Sequence, residues 1–114
     1  MRAIKFRVWL GEGLGNRMLY DPYIGRGLAE DIFNKNWMQY TGLKDKKGIE
    51  IYEGDILEVE TNSTLIWKAE VVFDRQYAAF LLKTESNELI GLGQMNKYKV
   101  IGNIYENKEL LNDT

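Results

Sequence analysis

The residues of this chain best suited to chemistry are Glu53 and Asp55, two carboxylates flanking Gly54. Such a pair can ligate Mg²⁺ or share a proton in general acid–base work. A Mg²⁺ site needs further oxygen ligands and an acid–base pair needs a raised pKa, and the sequence marks neither. The plainer role of an Asp after a Gly is structural: its carboxylate accepts backbone N–H groups within a turn, while Gly takes a φ closed to other residues. The 114 residues contain no His and no Cys, which removes the commonest general base, the thiol nucleophile and the usual zinc ligands. Gly11, Gly13 and Gly15 have the density of a phosphate-binding loop, but neither a helical run nor Lys-Ser or Lys-Thr follows them. The chain therefore reads as noncatalytic, with no cofactor and no metal. An enzyme built on Glu53 and Asp55 is the weakest reading of its function.

Binding is the stronger reading. Lys44, Lys46 and Lys47 cluster at one turn, and Tyr40 and Tyr52 stand on either side of it; these five are the candidate surface residues. Trp9, Trp37, Tyr40, Tyr52, Trp67, Tyr77, Tyr98 and Tyr105 could include a platform for unpaired bases. A net charge of -2 supplies no general positive field for nucleic acid, so aromatics that fill a thin β core are the better account.

Short strands separated by turns must position these residues. Ile4, Phe6 and Val8 alternate with polar neighbours, so residues 3–9 read as a half-buried strand. The glycines from Gly11 to Gly15, with Asn16, turn the chain into a short strand at Met18 to Tyr20. Leu28, Ile32 and Phe33 have helical spacing and predict a short helix over residues 28–33. Residues 37–43 and 49–52 form a hairpin in which Gly48 closes the turn with positive φ. Glu53 to Asp55 make a second tight turn into a strand with Leu57 and Val59 on one face. Residues 65–73 follow, with Trp67, Ala69, Val71 and Phe73 sharing a face, then strands over residues 77–83, 89–92 and 98–105. Gly102 inside the last strand predicts a bulge, and Asn107 is placed to cap a helical turn over residues 108–111.

The length suits one domain over residues 1–114, and 45% apolar residues supply its core. The absence of Cys fits a reducing cytoplasm, and no apolar run reaches the span of a membrane or forms a leader.

The run Gln39-Tyr40-Thr41-Gly42-Leu43, Asp45, Gly48 and Ile51-Tyr52-Glu53-Gly54-Asp55-Ile56 resembles the hallmark of the YopX family of phage and prophage proteins. Further matches lie at Ile4 to Trp9, Met18 to Asp21, Val71 to Phe73 and Val100 to Asn107, while Leu10 to Arg17, Tyr23 to Asn36 and most of Glu58 to Lys99 match loosely. The resemblance implies a mainly β protein: an SH3-like barrel over residues 54–114, decorated by N-terminal strands and the hairpin within residues 1–53, with one or two short helices. It implies a phage or prophage gene and the cytoplasm of a bacterial host, and brings no activity with it. Taken with the residues, it predicts a protein-binding or self-assembling β module whose partner is another copy or a host or phage protein. Nucleic-acid binding in phage replication or regulation is the second reading.

Overall fold

Alternation of apolar and polar side chains sorts this chain into two antiparallel sheets. The computed structural model describes residues 5–11, 15–20, 36–60, 66–92 and 97–112. Within them run β1 (Phe6–Leu10), β2 (Arg17–Tyr20), β3 (Asn36–Lys44), β4 (Glu50–Tyr52), β5 (Asp55–Glu60), β6 (Ile66–Asp74), β7 (Ala79–Thr84), β8 (Leu89–Gly91) and β9 (Tyr98–Asn103), followed by a 3-10 helix at Lys108–Asn112. One sheet has the order β2-β1-β3-β4 and the other β8-β7-β6-β5-β9. The fold is mainly β, and the larger sheet curls into a half-barrel.

The larger sheet's concave face carries the main core. Cross-strand pairing sets Leu57 against Ala69 and Val100, and Val59 against Trp67 and Tyr98, so period-two alternation places all of them on one side. Ile51 of β4 joins Leu57, Val59, Ala69, Val71, Leu82 and Tyr98 there. A smaller cluster forms around Val8 and Leu10, with Leu19 and Trp37 packed against them.

Several expectations need correction at their edges. The first strand is not half-buried by face: Arg7 and Val8 point opposite ways and are both buried, whereas Phe6 is exposed, because the second sheet covers the side that solvent was expected to fill. The strand expected from residue 77 starts at Ala79; Asp74 Oδ1 accepts the Tyr77 N–H at 3.1 Å and holds Tyr77 in the turn. The last strand ends at Asn103, whose Oδ1 accepts the N–H groups of Tyr105 at 3.0 Å and Glu106 at 2.9 Å and bends the chain away. Asn107 does precede the 3-10 helix, yet its side chain accepts the Asn103 N–H rather than a helical one, and its backbone carbonyl accepts from Leu110. The bulge at Gly102 is present, since Ile56 pairs with Gly102 and the next residue, Leu57, pairs with Val100. The helix expected over residues 28–33 lies outside the described residues. Among the described residues no helix is long and apolar enough to cross a membrane.

Candidate functional site

The Glu53-Gly54-Asp55 turn is where both sheets meet. The Glu53 N–H donates to Gln39 O of β3 at 2.9 Å, the Gly54 N–H to Val71 O of β6 at 2.8 Å, and Gly54 O accepts the Ile104 N–H at 2.9 Å. Three distant segments thus take their register from one turn. Gly54 has φ 88°, and a Cβ there would lie 2.9 Å from Met38 Sδ; only glycine meets both demands.

Asp55 completes the node from inside. Its Oδ2 accepts the Tyr52 N–H at 2.8 Å and its Oδ1 accepts Arg7 Nη2 of β1 at 2.7 Å. Both side chains are 3% exposed or less. Arg7 also donates to Glu53 O at 3.2 Å, and its guanidinium lies 4.8 Å from the Tyr52 ring centre and 5.8 Å from that of Tyr20. A planar cation suits this place, because it can fork to carboxylate and carbonyl while its faces rest on aromatic rings. Burial pushes the Asp55 carboxyl above its ordinary range, opposed by the Arg7 charge and the Tyr52 N–H. Burial likewise raises Glu70, against the pull of Lys83 and Lys108, and raises the Tyr105 phenol, helped by the charges of Glu53 and Glu70.

This cluster of ionisable groups holds structure together. Both Asp55 oxygens are engaged, and Glu53 offers one oxygen to the Gln39 N–H at 3.4 Å, so the turn presents no open pair of carboxylates to Mg²⁺. The described residues include no group of three or more acidic side chains placed to share a metal ion.

A second lock joins the β3–β4 turn to β9. Asp45, itself buried, accepts the Lys47 and Ile49 N–H groups on Oδ1 at 2.8 and 2.9 Å, and the Val100 N–H on Oδ2 at 3.0 Å. Desolvation alone would raise its carboxyl; the bonds from Val100, Ile49 and Lys47, with the Lys47 charge, outweigh it and hold the group below its ordinary 3.8. Gly48 closes the turn at φ 84° as expected.

The candidate surface residues divide. Lys44, Lys46 and Lys47 are exposed, and Lys46 pairs with Glu60. Tyr40 and Tyr52, expected at the surface, lie inside at 5% and 2% exposure with ring centres 5.5 Å apart, because Arg7 and Tyr20 pack on Tyr52 and Lys5 lies over Tyr40. The other aromatics form separate pairs: Trp9 stacks on Tyr105 at 5.8 Å, and Phe6 meets the edge of Trp37 at 6.3 Å. Sequence reasoning missed Arg7 as a site residue. Arg7 stands at an ordinary polar position of the alternating strand, as Lys5 does, so no local signal marked it, and its partner lies 48 residues away. Also missed is an open groove of about 430 Å³ between β3 and the β6–β7 hairpin, with Gln39, Thr41 and Leu43 on the β3 side and Phe73, Phe80 and Leu92 on the other.

Residues 16–112 match the family model described as YopX protein. The chain belongs to the YopX family. Solved structures agree: protein EF1440 from Enterococcus faecalis superposes with TM-score 0.65 at 26% identity, covering 97% of this chain and 99% of that one. Protein yopX from Bacillus subtilis gives TM-score 0.65 at 20% identity, covering 100% of this chain and 99% of that one, and shows the shared fold. No curated protein sequence matches. In Tyr52-Glu53-Gly54-Asp55 of this YopX-family chain the glycine is favoured by its φ and by the closeness of Met38, and the aspartate is held by Arg7 and the Tyr52 N–H.

Proposed function

We propose that this chain is a noncatalytic protein-binding β module, and that the groove beside β3 receives an extended apolar segment of a protein partner. The observation that carries the reading is the floor of that groove. Phe73 and Phe80, cross-strand partners at 5.2 Å, extend the core face beyond the point where β4 covers it, and Phe73 stays 41% exposed. Leu43 and Leu92 continue this apolar surface, and Tyr77 stands 66% exposed at the adjoining turn. The exposed ring of Phe73, with the partly buried Leu43, Phe80 and Leu92 beside it and a net charge of -2, suits a protein partner better than a polyanion.

The finer readings go with it. An SH3-like barrel over residues 54–114 is supported by five antiparallel strands curling around one core. A phage or prophage origin, a bacterial cytoplasm and a host or phage protein as partner are supported by the resemblance of residues 38–56 to phage and prophage proteins. The absence of an enzymatic centre is supported by the engagement of Asp55 with Arg7 and the Tyr52 N–H.

The test compares tagged wild type with Phe73→Asp in cells carrying the phage or prophage. One partner protein recovered with wild type and lost with the folded variant is the expected result. Undiminished recovery on Phe73→Asp overturns the groove reading. Salt-dependent quenching of tryptophan fluorescence by oligonucleotides, with no protein partner recovered, replaces it with nucleic-acid binding.

A further inference from the structure

One residue of β6 has its main chain uncovered inside the larger sheet, and it opens into the groove. The Gly54 N–H donates to Val71 O at 2.8 Å, so the main-chain groups of Val71 face β5. Main-chain direction alternates along a strand, so those of Val72 face β7 and those of Phe73 turn back to the β5 side. No strand stands beside Phe73 there. Gly54, at φ 88°, turns the chain out of the sheet, and Glu53 gives its N–H to Gln39 O of β3 at 2.9 Å. Among the described residues the Phe73 N–H and C=O therefore have no hydrogen-bond partner. On the opposite wall of the groove the side-chain amide of Gln39 has none among them either.

We infer that the groove holds its partner by the main chain: an extended peptide segment adds a short strand beside β6 and exchanges hydrogen bonds with the Phe73 N–H and C=O. This rests on the groove reading above and names the chemistry of recognition at that site. The occupant is extended peptide because the free groups are one donor and one acceptor on a single strand residue, which one residue of an antiparallel neighbour satisfies together. A helical segment keeps its main-chain groups in its own ladder and leaves both unmet. The partner residue opposite Phe73 shares its face of the sheet. Its side chain enters the groove beside Phe73, Phe80 and Leu92, with Leu43 across from them. The Gln39 amide carries both a donor and an acceptor, as a peptide group on the far side of the segment requires. Main-chain bonds then give adhesion, and the inward side chain selects for an apolar residue, while its two neighbours point away and select little.

Peptides selected on the folded protein from a phage-displayed library of random linear sequences test it. Expected are binders that share an apolar position, are lost on folded Phe73→Asp and are weakened by Gln39→Leu. Replacing each amide of a binder in turn by an ester removes one N–H donor and keeps every side chain. The ester facing Phe73 should cost about five- to tenfold in affinity, as for one hydrogen bond, and esters at amides that point to solvent should cost little. Amide hydrogen exchange supplies a second readout: the Phe73 N–H should exchange faster than that of Val72 in the free protein, and slow about tenfold or more once peptide is bound. The inference is overturned by binders that need the Phe73 side chain yet tolerate an ester at every position and leave Phe73 exchange unchanged, a result the groove reading survives. Binders whose anchors recur at helical i, i+3, i+4 spacing overturn it too, as does a selection that yields no binder lost on Phe73→Asp. The groove reading itself answers to partner recovery from cells, so the two fail separately.

Discussion

Replacing Arg7 with methionine keeps much of the side chain's apolar bulk and removes its charge, leaving Asp55 buried without a counter-ion. The Arg7–Asp55 contact is 2.7 Å with the side chains 3% and 2% exposed, so water cannot take over the solvation of the stranded carboxylate. Removing one partner of a buried ion pair costs about 3–5 kcal/mol. The lost contact of the guanidinium with the Tyr52 ring, 4.8 Å away, falls in the range of roughly 0.5–2 kcal/mol. Against a total stability of about 5–15 kcal/mol for an ordinary domain, this is a large fraction. The cost is a penalty for isolating a charge, and it leaves open whether the intact pair stabilises more than a matched apolar pair. Hence the double variant Arg7→Met/Asp55→Leu should cost far less than the sum of the two single changes. Urea melts followed by tryptophan fluorescence and far-UV circular dichroism measure all four corners of the cycle. The reasoning is refuted if Arg7→Met costs under about 1 kcal/mol, as for an exposed pair, or if the two single costs simply add.

Two further predictions concern the turns. Gly54→Ala meets both a φ of 88° and Met38 Sδ at 2.9 Å, whereas Gly48→Ala meets φ 84° with open space around the new Cβ. Gly48→Ala should cost about 1–2 kcal/mol from backbone strain and Gly54→Ala measurably more; equal costs in matched melts count against the Met38 contact. The Asp45 carboxyl is held below its ordinary 3.8 in the folded chain, so its contribution is present above that pH and is lost as pH falls through the folded value. Asp45→Asn should flatten that part of the stability–pH curve and lower stability near pH 7 by about 1–3 kcal/mol, because one buried N–H loses its acceptor. Asp55 works the other way: with its folded pKa raised, the unfolded chain ionises first as pH rises above 3.8, so this group's contribution falls over that window. A stability–pH curve for Asp45→Asn as steep in acid as that of wild type contradicts the assignment.

Much of the fold was legible because it depends on short-range pattern. The β3–β4 hairpin, the positive φ of Gly48 and Gly54, the shared face of Trp67, Ala69 and Val71, and the bulge at Gly102 all follow from neighbours within a few residues. The Asp55 bond to the Tyr52 N–H belongs to the same class. The ends of β7 and β9 were misread because Asp74 and Asn103 bend the chain with side-chain bonds to backbone N–H groups, a competition that apolar alternation does not register.

Sequence alone determined the order of the strands, though not all their ends, and where the tight turns fall, since φ preference and period-two alternation act over a few bonds. Tertiary structure alone decided that Arg7, Tyr40 and Tyr52 are interior, and that the Glu53-Gly54-Asp55 turn bonds to strands of both sheets. Those outcomes depend on which face a second sheet covers. Pairs such as Arg7 and Asp55, 48 residues apart, meet only when the sheets dock, and no local preference encodes that meeting.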